Sequence, residues 1–315
     1  MTDQHAVVFL LEDVYTAKDA LGLEKAVTIG GTECRALLPV QDEKWRMFLH
    51  APPVPGGGQV PLWSGRFWGD TASAGGMVSA LGIILATVIP PGDDYIAFDH
   101  AAAQWRKLLR DWLSVAAEGP TDWMKDYYGA TAFPGPGYDG DHDGLDVPYE
   151  PVERGHRHPP RRLSAWAWGH ALEHASTGDE PPLSRVLMTS AVQAAMDANW
   201  RVAIIDAATA TEAALTVGLV AELSKTLSPS DVTKKLDERK HRMLGNRIKL
   251  AGNLGLVLPA SIQKDLVNPR NAAMHQGNTV TRDQVKAAIA AAWAVVRQYA
   301  PLPACCIEPG PGQSA

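Results

Sequence analysis

Three side chains in the last quarter of the chain have the types and spacing for acid–base chemistry on a phosphate. They are Arg270, Asn271 and His275, within LVNPRNAAMHQG at residues 266–277. On a helix, at about 100° per residue, Asn271 and His275 stand one turn apart on one face, with Arg270 at its edge. A cation, an amide and an imidazole then converge, and imidazole is the side chain that titrates near neutral pH. Asn268 followed by Pro269 predicts that a helix begins at the motif itself, with Asn268 as N-cap and Pro269 at the first helical position. The free N–H groups of such a start favour anions. Gly277 is expected to end the helix.

Two further sets of residues belong with this segment. Glu212 shares a helical face with Ile205, Ala208, Leu215 and Leu219, so it is expected to be at least partly buried, where a carboxylate needs a cation. Arg270 is one candidate partner, which would orient the site; a structural pair with another Arg or Lys is the alternative. A very basic helix is predicted over residues 232–250, opening at Ser230 and carrying Lys234, Lys235, Arg239, Lys240, Arg242, Arg247 and Lys249. Charge on a surface helix is ordinarily solvation. Beside a phosphate-cleaving site, this helix is the first candidate for an RNA-backbone track, although it lacks the interleaved aromatics of single-strand binders.

The elements that would hold these residues are helical from residue 183 onward. Residues 183–199 are amphipathic, and Trp200–Leu223 is rich in Ala and Leu, with high helix propensity. After the basic helix, residues 259–267 predict a short helix. Thr281 and Gln284 form a capping box before a last helix with Val285, Ile289, Ala292, Val296 and Tyr299 on one side. This is the pattern of a compact helical bundle.

The first ~95 residues look β-rich on short-range pattern. Strands are expected at residues 6–11, 25–29, 34–40, 45–49 and 80–89, with Gly30-Gly31 closing a hairpin and PPVPGGG at 52–58 as a breaker. A helix over about residues 98–117 carries Trp105, Leu108, Leu109, Trp112 and Leu113 on one face. Residues 129–160 are crowded with Pro, Gly and Asp and are expected to be linker. Ser164 then caps a connecting helix over 165–176. The fold class expected is α+β, with a β-rich domain at 1–130, linker and connecting helix at 131–182, a helical domain at 183–300 and a tail at 301–315.

Other spacings carry less. His170, Glu173 and His174 spell H-x-x-E-H, which on a helix puts both imidazoles on one face for zinc. No third ligand is identifiable, and Trp166 with His170 at i, i+4 reads more simply as packing. Asp139, Asp141, Asp143 and Asp146 lack the twelfth-position Glu and flanking helices of a calcium loop. His156 and His158 among Arg157, Arg161 and Arg162 form a basic cluster that could touch RNA but reads more simply as exposed. Trp45, Trp63 and Trp68 are expected in core packing before any ligand site. No metal and no cofactor are expected.

Composition sets the outer bounds. With 315 residues, 46% of them hydrophobic and 20% charged, the chain can bury a real core, and two domains are the natural expectation. The net charge of -6 divides unevenly: residues 195–300 hold 14 Lys and Arg against 9 Asp and Glu, whereas residues 1–194 hold 15 against 25. A basic C-terminal module is compatible with a polyanion partner. The apolar runs at 6–11 and 76–90 are too short for a secretory signal or for the ~20 residues of a membrane span, so a soluble protein with no membrane partner is expected. Cys34 and the adjacent Cys305-Cys306 show neither a disulfide framework nor metal spacing, which fits a reducing cytoplasm.

The RNAAMH segment, the order AIIDAATATEAAL, basic helix, PRNAAMHQG, and the final amphipathic helix together resemble the HEPN family over residues 183–300. That family has a helical bundle with an Arg, usually followed by a polar residue, and a His four to six residues on. The resemblance implies a metal-independent endoribonuclease in which the ribose 2′-OH attacks the adjacent phosphate and leaves a 2′,3′-cyclic end. It also implies a homodimer whose cleft gathers two copies of His275 and Arg270, with a role as a defence or stress effector. His275 is then expected to transfer protons, Arg270 to stabilise the phosphoryl group, and Asn271 to hold His275 or the substrate. Because many members lack activity, the alternative is a non-catalytic dimerisation or ligand-sensing module.

Overall fold

The computed structural model describes residues 6–38, 40–41, 48–50, 63–68, 75–85, 93–118, 163–238, 241, 243–275 and 280–302. The expected linker, the Asp139–Asp146 and His156–Arg162 clusters, Trp45, Arg239, Lys240, Arg242, Gly277 and the cysteine pair lie outside them, as do the side chains of Trp63, Trp68 and His275. Eight α-helices stand among the described residues: α1 (Asp93–Ala116), α2 (Ala165–Thr177), α3 (Leu183–Met196), α4 (Trp200–Leu223), α5 (Pro229–Asp237), α6 (Leu244–Asn253), α7 (Asn268–His275) and α8 (Arg282–Tyr299).

The first packed core joins a β-hairpin to two helices. Strands Glu24–Ile29 and Thr32–Leu37 pair antiparallel through Gly30 and Gly31, both at positive φ as a two-residue hairpin turn prefers. Alternation puts Val27, Ile29, Cys34 and Ala36 on the buried face. Gly30 is also a contact point: a Cβ there would lie 2.7 Å from the Ala101 Cβ of α1. Further antiparallel backbone ladders link Thr32–Leu37 to Gly75–Leu85, and Gly75–Leu85 to Ala6–Ala17.

Against the hairpin pack Phe98, Trp105, Leu109, Trp112 and Leu113 of α1 and Trp168, Leu172 and Ala175 of α2. The expected connecting helix, α2, is therefore a wall of this core. Its buried indoles are satisfied: Trp168 Nε1 donates to Thr16 Oγ1 at 3.2 Å, and Trp112 Nε1 to the Asp179 carbonyl at 2.8 Å. Ser164 caps α2 as its sequence predicts, accepting from the Ala167 N–H.

The second core is a helical bundle centred on α4. Ala203, Ile204, Ala207, Ala208, Ala214, Leu215, Leu219 and Leu223 of α4 are buried among α3, α6, α7 and α8. Small residues let the neighbours approach closely. A Cβ on Gly218 would lie 2.6 Å from Tyr299 Cδ1 of α8, so the Tyr299 ring occupies the space that glycine leaves. This helix, rather than residues 76–90, is the long apolar one: it alone among the described helices has the length and composition of a membrane span, and burial in the bundle accounts for that composition. The α8 capping box forms as expected, with Thr281 and Gln284 satisfying each other's backbone N–H groups.

α1 begins at Asp93 rather than near residue 98, and two helix boundaries close to the candidate site also differ from the sequence expectation. The single basic helix over 232–250 is two helices, with Ser228 rather than Ser230 capping α5, and Glu238 leaving helical geometry at ψ 132°. Val232 and Leu236 are buried, but the next positions on that face are Arg239, Lys240 and Met243. A continuous helix would press charge into the core, whereas a break re-aims Leu244, Leu250 and Ala251 inward. The second difference lies at the motif.

Candidate functional site

The chain does not start a new helix at Asn268. A five-residue π-helical turn, Gln263–Val267, runs straight into α7, and Asn268 is itself helical at φ -65°, ψ -48°, its N–H bonding the Gln263 carbonyl. Pro269 explains the widened turn. It has no N–H to donate, and its ring would meet the carbonyl four residues back in an ordinary helix. The expected N-cap is thus a mid-run residue, and the anion-attracting helix start predicted beside the motif is not there.

α7 is held by its inner side. Leu266, Val267, Pro269 and Ala273 are buried, Arg270 is half-buried, and Asn271 and Met274 are exposed. By helical register, position 275 follows Asn271 on the side opposite Pro269 and Ala273. Arg270 Nη1 donates to Asn271 Oδ1 at 3.1 Å, so the first two motif side chains meet at the surface.

Glu212 does not orient Arg270. It is partly buried, as expected, and its Oε1 lies 3.6 Å from Nη1 of Arg247, which reaches over from α6. Arg247 also donates to Thr216 Oγ1 and, through Nε, to the His241 carbonyl at 3.0 Å. These bonds tie the segment between α5 and α6 to α4. Of the two partners weighed from sequence, the structural cation is the one in contact. It also makes Arg247 a bracing residue rather than a free member of a basic track. Lys234 and Lys249 are exposed and Lys235 is half-buried, now on two helices instead of one.

The H-x-x-E-H residues on α2 turn to three different neighbours. Glu173 pairs with Lys25 of the hairpin at 3.1 Å, and this hydrogen bond lowers its pKa. His174 stacks on Trp112, with ring centroids 4.2 Å apart, and its Nδ1 sits 3.2 Å from Asp179 Oδ2. His170 packs edge-on against Trp166 at 4.4 Å, and burial lowers its pKa. Among the described residues, no group of three or more His, Cys, Asp or Glu is placed to hold a metal ion. Cys34 is buried, its thiol pushed up to about 11 by burial, which leaves it a poor nucleophile.

Sequence reasoning missed a charged cluster of Glu118, Arg185 and Arg297, which joins α1 to the bundle. The available signal was Arg185 itself, three residues before Met188 on the apolar face of α3. Compared with known protein families, curated proteins and solved structures, the chain matches none.

Proposed function

We propose that the bundle is a HEPN-like module and that the chain is a metal-independent endoribonuclease acting in the cytoplasm as a homodimer. The observation that carries this reading is the surface pairing of Arg270 with Asn271 at 3.1 Å, one turn before His275 on α7. Arg270 would neutralise the phosphoryl oxygens as the 2′-OH attacks phosphorus and the P–O5′ bond breaks. One His275 would take the 2′-OH proton, and the second copy's would protonate the leaving 5′-oxygen, which is why one chain does not suffice. The exposed Lys234 and Lys249 would contact the RNA backbone, with Lys235, Arg239, Lys240 and Arg242 from the same stretch. The N-terminal third is read with this as a β-rich regulatory unit, on the strength of its hairpin and period-two pattern.

The alternative, a non-catalytic dimerising or ligand-sensing module, is favoured by the π-turn entry to α7. It removes the free N–H groups that would have helped bind a phosphate at the motif. Cleavage of labelled structured RNA in EDTA separates the two. The nuclease reading expects cutting by wild type to a 2′,3′-cyclic end, and its loss in His275→Ala and Arg270→Ala variants that remain folded dimers. Equal cutting by wild type and variants, or none on several RNAs, would refute it.

A further inference from the structure

We infer that Glu118 is an ionic latch that fixes the first module on the helical bundle and whose release lets the two part. The inference rests on the geometry of the junction and is independent of the RNA-cleavage reading. Glu118 follows the last turn of α1 in the left-handed backbone region, at φ 51°, where residues with a Cβ are uncommon. That conformation aims its carboxylate at two guanidinium groups of the bundle. Oε2 accepts from Arg297 Nη2 at 2.6 Å and Oε1 from Arg297 Nε at 3.3 Å, the side-by-side pairing in which an Arg fork matches a carboxylate. Oε1 also accepts from Arg185 Nη1 at 3.4 Å.

Each arginine is committed beyond the pair. Arg185 is only 4% exposed, and its Nε donates at 3.0 Å to the Ala300 carbonyl at the end of α8. Both guanidiniums lie over the Trp293 ring, at 5.5 Å for Arg185 and 5.1 Å for Arg297. Burial pulls the Arg185 pKa down, and the Glu118 charge pushes it back up. Without Glu118, two like charges would sit together at one indole with Arg185 out of water.

Just beyond Ala300, Leu302 joins Trp112, Ala116, Ala167, His170 and Ala171 in lining a small crevice of the first module. Trp112 donates to the Asp179 carbonyl in the link between α2 and α3. The two hydrophobic cores share no residue, and the junction is made by these polar bonds, by Leu302 and by the packing of α1 on α3. The latch also holds the end of α8, the helix that follows the Arg270–His275 segment. It is thus a point at which the state of one module reaches the other.

The test is amide hydrogen exchange on the full chain, wild type against Glu118→Gln, with Arg297→Gln as the milder second variant. Glu118→Gln is expected to speed exchange about tenfold or more at residues 113–118 and 297–302, while amides in α4 and in the hairpin keep their protection. Arg297→Gln is expected to loosen the same segments less, because Arg185 still holds Glu118. Raising salt from low to about 0.5 M should loosen the wild-type junction and leave Glu118→Gln unaltered there. Unchanged exchange at the junction in Glu118→Gln would overturn the latch. So would a uniform rise through both cores, which would make Glu118 a general stabilising residue. A junction equally salt-insensitive in wild type and variant would also overturn it.

Discussion

Replacing Gly218 by Ala tests the bundle most sharply, because local and tertiary effects act with opposite signs. Gly218 lies inside α4, where Ala is the better helix former by about 1 kcal/mol. The added methyl, however, would stand 2.6 Å from Tyr299 Cδ1, a distance that Cβ contacts essentially never show, and 3.0 Å from its Cγ. The ring must move, and overpacking of this kind costs about 1–3 kcal/mol. Moving the ring also endangers the 2.6 Å hydrogen bond from the Tyr299 hydroxyl to the Val257 carbonyl, a further ~1 kcal/mol. The sum is a net destabilisation of about 1–3 kcal/mol, or about 2–4 °C in Tm for each kcal/mol. Gly252→Ala on α6 is the control: nothing lies within 4 Å of its added methyl, and it should stabilise by about 0.5–1 kcal/mol. Thermal melts of Gly218→Ala, of Tyr299→Ala and of the two combined give the coupling between the two positions. The double variant should recover the penalty attributable to the clash. If Gly218→Ala raises Tm as Gly252→Ala does, Tyr299 does not pack on α4, and the account of the bundle centre fails.

The remaining expectations use other parts of the molecule. Arg247→Ala should destabilise by about 1–2 kcal/mol, since it strips Glu212, Thr216 and the His241 carbonyl of their partner. Arg270→Ala, whose hydrogen bond is to its exposed neighbour Asn271, should alter stability by only about 0.5 kcal/mol, as chemical denaturation will show. The His170 pKa is held below its ordinary 6.5, chiefly by burial, so between these two values the unfolded chain binds the proton more readily. Stability should therefore decline as pH falls from 6.5 through the folded pKa. His170→Gln should flatten that part of a Tm-against-pH curve; an unaltered slope would place the linkage elsewhere.

Much of this protein was determined by local sequence. The Gly30-Gly31 turn, the Ser164 cap, the Thr281–Gln284 capping box and Trp200–Leu223 as one helix all follow from chemistry within a few residues, because the groups that satisfy each backbone are near in the chain. The adjacency of Arg270 and Asn271 and the helical register of position 275 are of the same kind. Tertiary structure decided what depended on distant partners. Asn268-Pro269 has the local signature of a helix start, yet the packing of Leu266 and Val267 in the bundle core carries the helix through them as a π turn. Residues 232–250 have one helix's propensity but two buried faces, and burial of Leu236 and Leu244 outweighed continuity. Glu212 carried no mark of its partner, because Arg247 lies 35 positions away and only the crossing of α4 and α6 brings it near. The same holds for Glu118 and Arg297, whose meeting no local pattern encodes: burial of two separate cores sets where the helices end, and charge pairs where they end.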